Sequence, residues 1–188
     1  METERQLLDA IRGGDSQAMR RLYDRFSGYA MAIGLRYISG NDDVRDVLQD
    51  SFVSILTSIN DFEYRGEGSL KAWISKIVTN RALDWLNEHD LIKTTDVMPK
   101  EEIADEEDPQ VELIPPDILN QMIGRLPAGC RLVLNLHVFE QLSHKEIARR
   151  LGIKEASSAS QFFYAKKLLT GMINDYLTHK GNETGSMD

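Results

Sequence analysis

Residues 142–152, which read LSHKEIARRLG, constrain the fold of this chain more than any other segment. Ser143 and Glu146 have the spacing of a capping box, in which the hydroxyl and the carboxylate satisfy free backbone donors in the first turn of a helix. Gly152 follows where helices commonly end in a left-handed residue, a conformation that glycine adopts at little cost. A second helix can begin near Lys154, so the segment predicts a helix-turn-helix, which presents its second helix to the major groove of DNA.

Composition limits the class of protein. The chain has 188 residues, of which 41% are hydrophobic, enough for one large or two small domains with buried cores. Its single cysteine, Cys130, cannot form an internal disulfide, which suits a reducing cytoplasm. The charged amino terminus lacks the apolar core of a signal peptide, and no window has the apolar length needed to span a bilayer. We therefore expect a cytoplasmic protein.

The net charge of −8 is unevenly distributed along the chain. Residues 88–117 contain eleven acidic and two basic residues, a charge of −9. Residues 118–180 contain nine basic and four acidic residues, a charge of +5. The distribution of charge, rather than its total, decides what a surface attracts. The predicted helix-turn-helix half is therefore suited to DNA although the whole chain is acidic.

The N-terminal part of the sequence predicts three helices. One is expected from about Ser16 to Ile38, with Asp15 as its cap. A second is expected after Gly40 and a third after the turn at residues 66–69, because apolar residues recur in each at intervals of three and four. No stretch shows the alternation of apolar and polar residues that is typical of a strand.

Between about residues 89 and 116 the helical periodicity ends. The stretch KEEIADEED from Lys100 to Asp108 is strongly acidic, and prolines flank it on both sides. Such a composition buries too little apolar surface to offset the entropy lost on ordering, which predicts a flexible linker. Helical spacing resumes at Ile118, and the last long helix is expected from Lys154 past Tyr176.

The expected architecture is all-α, with two small helical domains joined by the acidic linker. The domain boundaries are an N-terminal helical bundle over residues 1–87, the proline-containing linker over 88–115, a C-terminal helix-turn-helix domain over 116–178 and a disordered tail over 179–188.

Three segments, in this order, resemble bacterial sigma factors of the extracytoplasmic-function (ECF) group. Residues 43–52, DVRDVLQDSF, are similar to the D-x-x-D-x-x-Q-[DE]-x-F helix of that family. Residues 68–86, GSLKAWISKIVTNRALDWL, resemble its A-W-[IL]-x-x-I-x-x-N-x-x-x-D-x-[LW] pattern, and residues 126–169 resemble its helix-turn-helix. The resemblance covers about residues 15–87 and 116–170. It implies a protein that binds core RNA polymerase and directs promoter recognition, DNA melting and transcription initiation at a particular promoter class.

An acidic, hydrogen-bonding stripe is expected on the second predicted helix. Asp43, Asp46 and Asp50 lie at i, i+3 and i+7, with Gln49 beside them. The residues alone allow an ordinary solvated face. The resemblance implies that Asp43, Asp46, Gln49 and Asp50 bind the basic coiled coil on the clamp of RNA polymerase, where complementary charge speeds association and fixes register. It also implies a contact with the flap of the polymerase.

The third predicted helix and the loop before it are the candidates for binding the −10 promoter element. Lys76 and Asn80 lie one turn apart on the polar face of the helix, and an asparagine can read a base edge. The resemblance implies that the loop and the helix melt this element and capture an unstacked base. The candidate residues are Tyr64, Arg65, Lys76, Asn80 and Arg81, whereas Trp73 is expected in the core.

The second helix of the helix-turn-helix is the candidate for binding the −35 element. We expect Phe162, Ala165 and Leu169 to face the domain core. Outward positions are expected for Ser157, Ser160, Gln161 and Tyr164. The candidate residues for DNA binding are Lys145, Arg149, Lys154, Ser157, Ser160, Gln161, Tyr164 and Lys166. Related proteins usually have Lys or Arg at the positions of Ala159, Gln161 or Tyr164, so we expect weak binding with a shallow salt dependence.

The residues do not support catalysis or metal binding. His137, Glu140 and His144 lack the spacing of a metal motif, and Cys130 has no neighbour suited to act as a base. We therefore expect no enzymatic activity, cofactor, metal or small-molecule substrate.

The main alternative function is a helix-turn-helix regulator that binds palindromic DNA as a dimer without polymerase. The acidic stripe and the −10 candidates favour a sigma factor that is monomeric when free. An anti-sigma partner is common in the family, although nothing in the sequence shows one. The acidic linker has three open roles: covering the basic C-terminal domain, threading a basic channel of the polymerase, or acting as a spacer.

Overall fold

The structure is a computed structural model that describes residues 2–89 and 111–184. It divides into two compact units, Met1–His89 and Asp90–Asp188. The described residues form helices and turns without a β-strand, which confirms the all-α fold class. The central part of the predicted linker, residues 90–110, lies outside the described residues.

The first unit contains four helices. They are α1 (Glu4–Arg12), α2 (Ser16–Tyr37), α3 (Asn41–Ser58) and α4 (Ser69–Glu88). Helices α2, α3 and α4 pack against one another, and α1 packs on α2. Asp15 caps α2 as predicted, because its carboxylate accepts a hydrogen bond from the Gln17 backbone N–H at 2.8 Å. The core residues on these helices include Leu7, Leu22, Ile33, Ile55, Leu70, Ile74 and Val78.

Helices α2 and α3 approach each other closely at Gly34. A Cβ atom at this position would lie 2.6 Å from Val44 Cγ1 and 3.3 Å from Leu48 Cδ1. A glycine inside a helix costs about 0.5–1 kcal/mol relative to alanine. The close packing of α2 on α3 explains why this position has a glycine despite its cost in helix stability. The same packing helps to fix the orientation of α3.

The sequence did not predict helix α1. Thr3 and Gln6 form a capping box at its start, and Leu7, Leu8 and Ile11 are buried. The helix has only nine residues, several of them charged. Isolated helices of that length are marginal in water, so α1 depends on packing that local periodicity does not reveal.

In the second unit, the described residues 111–184 form four α-helices. They are α5 (Pro116–Gly124), α6 (Ala128–Val138), α7 (His144–Leu151) and α8 (Glu155–Thr184). A short 3-10 helix, Val111–Leu113, precedes α5, and Ile114 is buried in a cluster with Met122 and Ile173. The packed part of this unit therefore begins before the predicted boundary at residue 116.

The prediction of a disordered tail from residue 179 is wrong for residues 179–184, because α8 continues to Thr184. Met172, Ile173, Tyr176 and Leu177 belong to the cluster around Ile114. That packing holds the helix well past its midpoint, and extending a formed helix by a turn costs far less than starting one. Residues 185–188 lie outside the described part of the chain.

Candidate nucleic-acid and protein interfaces

The predicted acidic stripe is a continuous exposed surface on α3. Asp46, Gln49 and Asp50 are all exposed and lie at i, i+3 and i+4. Val53, one turn beyond Asp50, has 59% of its surface exposed and extends the same face. We call these four residues the α3 face. Val53 was not among the predicted site residues, although its i+7 spacing from Asp46 places it on this face.

Asp43, the other candidate on α3, is exposed but has a structural role at the start of the helix. It lies in the first turn of α3, and its carboxylate packs directly against the Cα of Gly40, the residue that precedes the helix. A carboxylate near a helix N-terminus interacts favourably with the helix dipole. Asp43 therefore supports the end of α3 from which the α3 face begins.

The loop between α3 and α4 contains two of the −10 candidates. Tyr64 is half-buried, and its hydroxyl donates a hydrogen bond to Glu67 Oε2 at 3.0 Å. Arg65 is exposed, and its guanidinium lies 2.8 Å from the Glu63 carboxylate. This hydrogen bond lowers the pKa of Glu63 below its usual value. Gly66 lies in the loop at a positive φ of 117°, a conformation that glycine adopts readily.

Helix α4 carries three of the −10 candidates. It places Lys76 and Asn80 side by side and Arg81 apart from them. Lys76 is exposed and Asn80 is half-buried, one turn apart on one ridge. Arg81 lies about 100° further around the helix axis. Its guanidinium donates to Ser54 Oγ of α3 at 2.9 Å, so it is directed towards α3. Trp73 packs on Phe62 with ring centroids 4.8 Å apart, which agrees with its expected structural role.

The helix-turn-helix forms as the sequence predicts. The Glu146 N–H donates to Ser143 Oγ at 3.3 Å, and the Ser143 N–H donates to Glu146 Oε2 at 2.8 Å. The Ser143 hydroxyl also donates to Glu146 Oε2 at 2.6 Å, and this bond, followed by the one from the Ser143 N–H, lowers the pKa of the Glu146 carboxylate. Gly152 ends α7 in the left-handed conformation at φ 67°, and α7 packs on α8. The basic candidates on this unit are exposed, namely Lys145, Arg149, Lys154 and Lys166.

The predicted register of α8 is wrong at Gln161. The side chain is only 2% exposed, in a buried row with Ser158 and Ala165, so it cannot read a base edge. Tyr164 is half-buried and packs against the apolar cluster around Leu126 and Cys130, which leaves it only partly outward. Serine and glutamine are usually exposed, so residue type alone gave no sign of this polar row in the core.

The outward surface of α8 near its start is small and apolar rather than basic. Ala156, Ala159 and Ser160 are exposed, Ser157 is half-buried, and Phe163 is 37% exposed. Phe163 was not among the predicted site residues. The available signal was the Phe162–Phe163 pair, because two adjacent helical residues differ by about 100° and cannot both face the core.

A pair of histidines lies beneath the helix-turn-helix. The rings of His137 and His144 stack with centroids 4.5 Å apart, and Phe162 packs edge-on against His137. His144 Nδ1 is 3.0 Å from Ser158 Oγ. Burial and, next, the charge of His137 lower the pKa of His144. His144 therefore favours its neutral form, and the stacked rings connect α6, α7 and α8.

The second unit also has an apolar groove between its helices. It encloses a cavity of about 380 Å³ lined by Val111, Leu119, Leu134, Val138, Phe139 and Leu169 among others. Val138 is 49% exposed at its edge. Exposed apolar surfaces of this kind commonly bind other proteins.

Neither a reactive thiol nor a metal cluster was found in the described residues. Burial raises the pKa of the Cys130 thiol to about 11. Residues 2–89 and 111–184 contain no group of three or more His, Cys, Asp or Glu side chains placed to hold a metal ion. Among the helices described, none is both long and apolar enough to cross a membrane.

Comparisons with known proteins identify the family. The family model for Sigma-70 region 2 matches residues 22–91, and that for Sigma-70, region 4 matches residues 117–169. The ECF RNA polymerase sigma-E factor of Haemophilus influenzae is 25% identical, over 91% of this chain and 95% of its own length. The factor of the same name from Escherichia coli K12 is 23% identical, over 91% and 94%.

The solved structure of CnrH in complex with the cytosolic domain of CnrY is also similar to this chain. It is 23% identical, with coverage of 93% of this chain and 99% of that one and a TM-score of 0.49. The two family models together cover more than half of this chain, in the predicted order. The chain therefore belongs to the sigma-70 family, as an ECF sigma factor that binds RNA polymerase and directs it to initiate transcription at specific promoters.

Proposed function

We propose that separate surfaces of the two units bind the polymerase, the −10 element and the −35 element. The α3 face binds the basic coiled coil on the polymerase clamp. Asp46 and Asp50 supply charge, Gln49 supplies a hydrogen-bonding amide, and exposed Val53 adds an apolar contact. The exposure of these four residues on one helix face is the observation that carries this assignment. Charge complementarity at such a surface accelerates encounter and excludes wrong partners.

The loop at residues 62–68 and the adjacent ridge of α4 are proposed to bind the −10 element. Tyr64 offers an aromatic face, and Arg65 and Lys76 offer positive charge near the backbone. Asn80 has both a donor and an acceptor for a base edge. Extruding a base costs a few kcal/mol, and stacking on an aromatic ring returns about 1–3 kcal/mol. Arg81 is assigned to holding α4 on α3, because its guanidinium donates to Ser54.

The −35 element is proposed to lie against α7 and the first turns of α8. Lys145, Arg149 and Lys154 would contact phosphates, with Lys166 further along α8. Ser160 can reach a base or a phosphate, and half-buried Ser157 lies at the edge of this surface. Exposed Phe163 is suited to an apolar contact with a thymine methyl group. Gln161 is withdrawn from this set because it is buried.

The apolar groove of the second unit is proposed to receive the flap of the polymerase. Its lining is mostly aliphatic and aromatic, with Thr170 and the Lys166 side chain also lining it, and its edge exposes Val138. Binding there would fix the second unit at the −35 element without strong intrinsic DNA affinity, which suits the small, uncharged outer face of α8. An anti-sigma protein that covered this groove or the α3 face would hold the factor inactive.

Core binding tests the proposal. The Asp46→Arg/Asp50→Arg double variant reverses the charge of the α3 face at exposed positions, so the fold should be unaffected while affinity for purified core polymerase falls at least tenfold. Asp24→Arg is a control for reversing one surface charge, because Asp24 is an exposed carboxylate of the same unit on α2, where it pairs with Arg20. Equal affinity of the double variant and the wild type would refute the assignment.

A further inference from the structure

The start of helix α4 lacks a cap of its own. Its N-cap residue is Gly68, which has a positive φ of 90° and no side chain to accept hydrogen bonds. The first N–H groups of a helix have no partner within the helix. The donors at this end include those of Gly68, Leu70 and Lys71, and an oxygen from elsewhere must satisfy them.

Glu4 supplies that oxygen from helix α1, more than sixty residues earlier in the chain. Its side chain accepts hydrogen bonds from the backbone N–H groups of Gly68 at 2.9 Å, Leu70 at 3.1 Å and Lys71 at 3.4 Å. Glu4 is 3% exposed, although it is an acidic residue in the first turn of a nine-residue helix. A buried carboxylate is stable only when it is well paired, and these donors lie at the positive end of the α4 dipole.

The arrangement is reciprocal. The backbone N–H of Glu4 is a free donor at the start of α1, and it donates to both carboxylate oxygens of Glu67 at 3.2 and 3.3 Å. Glu67 immediately precedes Gly68 in the loop. The start of α4 is therefore satisfied by a carboxylate from α1, and the start of α1 by a carboxylate from the loop that precedes α4. The pair resembles a capping box formed between two distant segments.

The same carboxylates hold the loop that carries the −10 candidates. Glu67 Oε2 accepts the hydrogen bond from the Tyr64 hydroxyl at 3.0 Å, and Arg25 of α2 forms an ion pair with Glu67 at 3.7 Å. At the other end of the loop, the Arg12 side chain of α1 donates to the backbone carbonyl of Phe62. Helix α1 thus contacts the loop at both ends.

We propose that Glu4 and Glu67 are positioning residues for promoter opening, and that α1 is thereby part of the machinery that melts the −10 element. This inference rests on the proposed role of the loop at residues 62–68. Helix α1 lies outside residues 22–91, which the region 2 family model matches. A held loop presents the Tyr64 ring in one orientation, so less ordering entropy opposes the capture of a base.

The test measures promoter opening by the full chain with core polymerase, using 2-aminopurine fluorescence at a −10 position of a duplex promoter. Glu4→Gln keeps the shape of the side chain but loses its charge and one acceptor, and Glu67→Gln does the same at a more exposed position. Each should lower the open fraction about fivefold or more, the order expected for a lost cap, with unchanged core affinity.

The control separates positioning from general destabilisation. Asp15→Ala removes the cap of α2 in the same unit without touching the loop. It should lower stability by a similar amount but leave promoter opening unchanged. A matching loss of opening in Asp15→Ala would overturn the proposal.

A double-mutant cycle with Tyr64→Ala distinguishes failure of the positioning role of Glu4 and Glu67 from failure of the proposed role of the loop at residues 62–68. If Glu4 acts through the loop, Glu4→Gln should add little to the effect of Tyr64→Ala, whereas independent effects would add. Additive losses, or normal opening by both glutamine variants while Tyr64→Ala is defective, would overturn the positioning role alone. Normal opening by Tyr64→Ala and Arg65→Ala would overturn the role of the loop, and the present inference with it.

Discussion

Lysine substitutions at two nearby positions of α8 should have different effects. One should strengthen DNA binding, and the other should destabilise the second unit. Related factors often have a basic residue at the position of Ala159 or Gln161. Ala159 is exposed here, whereas Gln161 is 2% exposed. Ala159→Lys should therefore add a phosphate contact, and Gln161→Lys should force an ammonium group into the core of the second unit.

The magnitudes follow from these two environments. One added phosphate contact steepens the salt dependence of log affinity by about 0.9, so affinity should fall about 3.5-fold more between 50 and 200 mM salt than for the wild type. Full burial can lower the pKa of a lysine by up to about 3–5 units, equivalent to about 4–7 kcal/mol. That penalty is comparable to the whole stability of a small domain, about 5–15 kcal/mol.

Two assays on the full chain separate the outcomes. Fluorescence anisotropy with a random-sequence duplex across this salt range measures phosphate contacts without knowledge of the promoter. Urea unfolding measures stability. Ala159→Lys should bind more tightly at low salt with an unchanged urea midpoint, and Gln161→Lys should lose stability without binding more tightly. Two results would refute this register of α8, in which Ala159 is exposed and Gln161 is buried. They are tighter DNA binding by a stable Gln161→Lys variant, and an unchanged salt dependence of affinity for Ala159→Lys.

Three further predictions concern packing, pH and the apolar groove. Gly34→Ala should destabilise the first unit by about 1–3 kcal/mol, because its Cβ would clash with Val44. Gly28→Ala, in open space on the same helix, should be neutral or stabilising by up to about 1 kcal/mol. Equal urea midpoints for the two variants would contradict the close approach of α2 and α3 at Gly34. Because the pKa of His144 is lowered in the folded protein, the unfolded chain binds more protons at this residue. The free energy of unfolding should therefore fall as the pH drops below about 6.5, and His144→Gln should reduce this pH dependence. The same pH dependence for His144→Gln and the wild type between pH 7.5 and 5.5 would contradict this prediction. Val138→Glu at the groove edge should lower transcription from promoters that depend on the −35 element while leaving the urea midpoint unchanged, and normal transcription would argue against flap binding there.

Local signals in the sequence predicted local structure well. Asp15 caps α2, and Ser143, Glu146 and Gly152 delimit α7, because the donors and acceptors concerned lie within four residues of one another. The apolar periodicity of α2, α3 and α4 likewise reflects one buried face on each helix.

Features that depend on distant segments could not be predicted in the same way. Helix α1 is short and is held by packing, and Glu4 caps a helix that begins at Ser69. The burial of Gln161 reflects a polar row inside the second unit, where neighbouring apolar residues allowed more than one register for α8. These are tertiary contacts, for which periodicity within one helix carries no information.

The most direct test of the whole account is run-off transcription with purified core polymerase on a library of genomic fragments, with the wild type and with Asp46→Arg/Asp50→Arg. The wild type should create new start sites that share two upstream motifs, and the double variant should lose them. Tight binding to palindromic DNA without polymerase, together with no new start sites, would contradict the account and indicate a dimeric helix-turn-helix regulator.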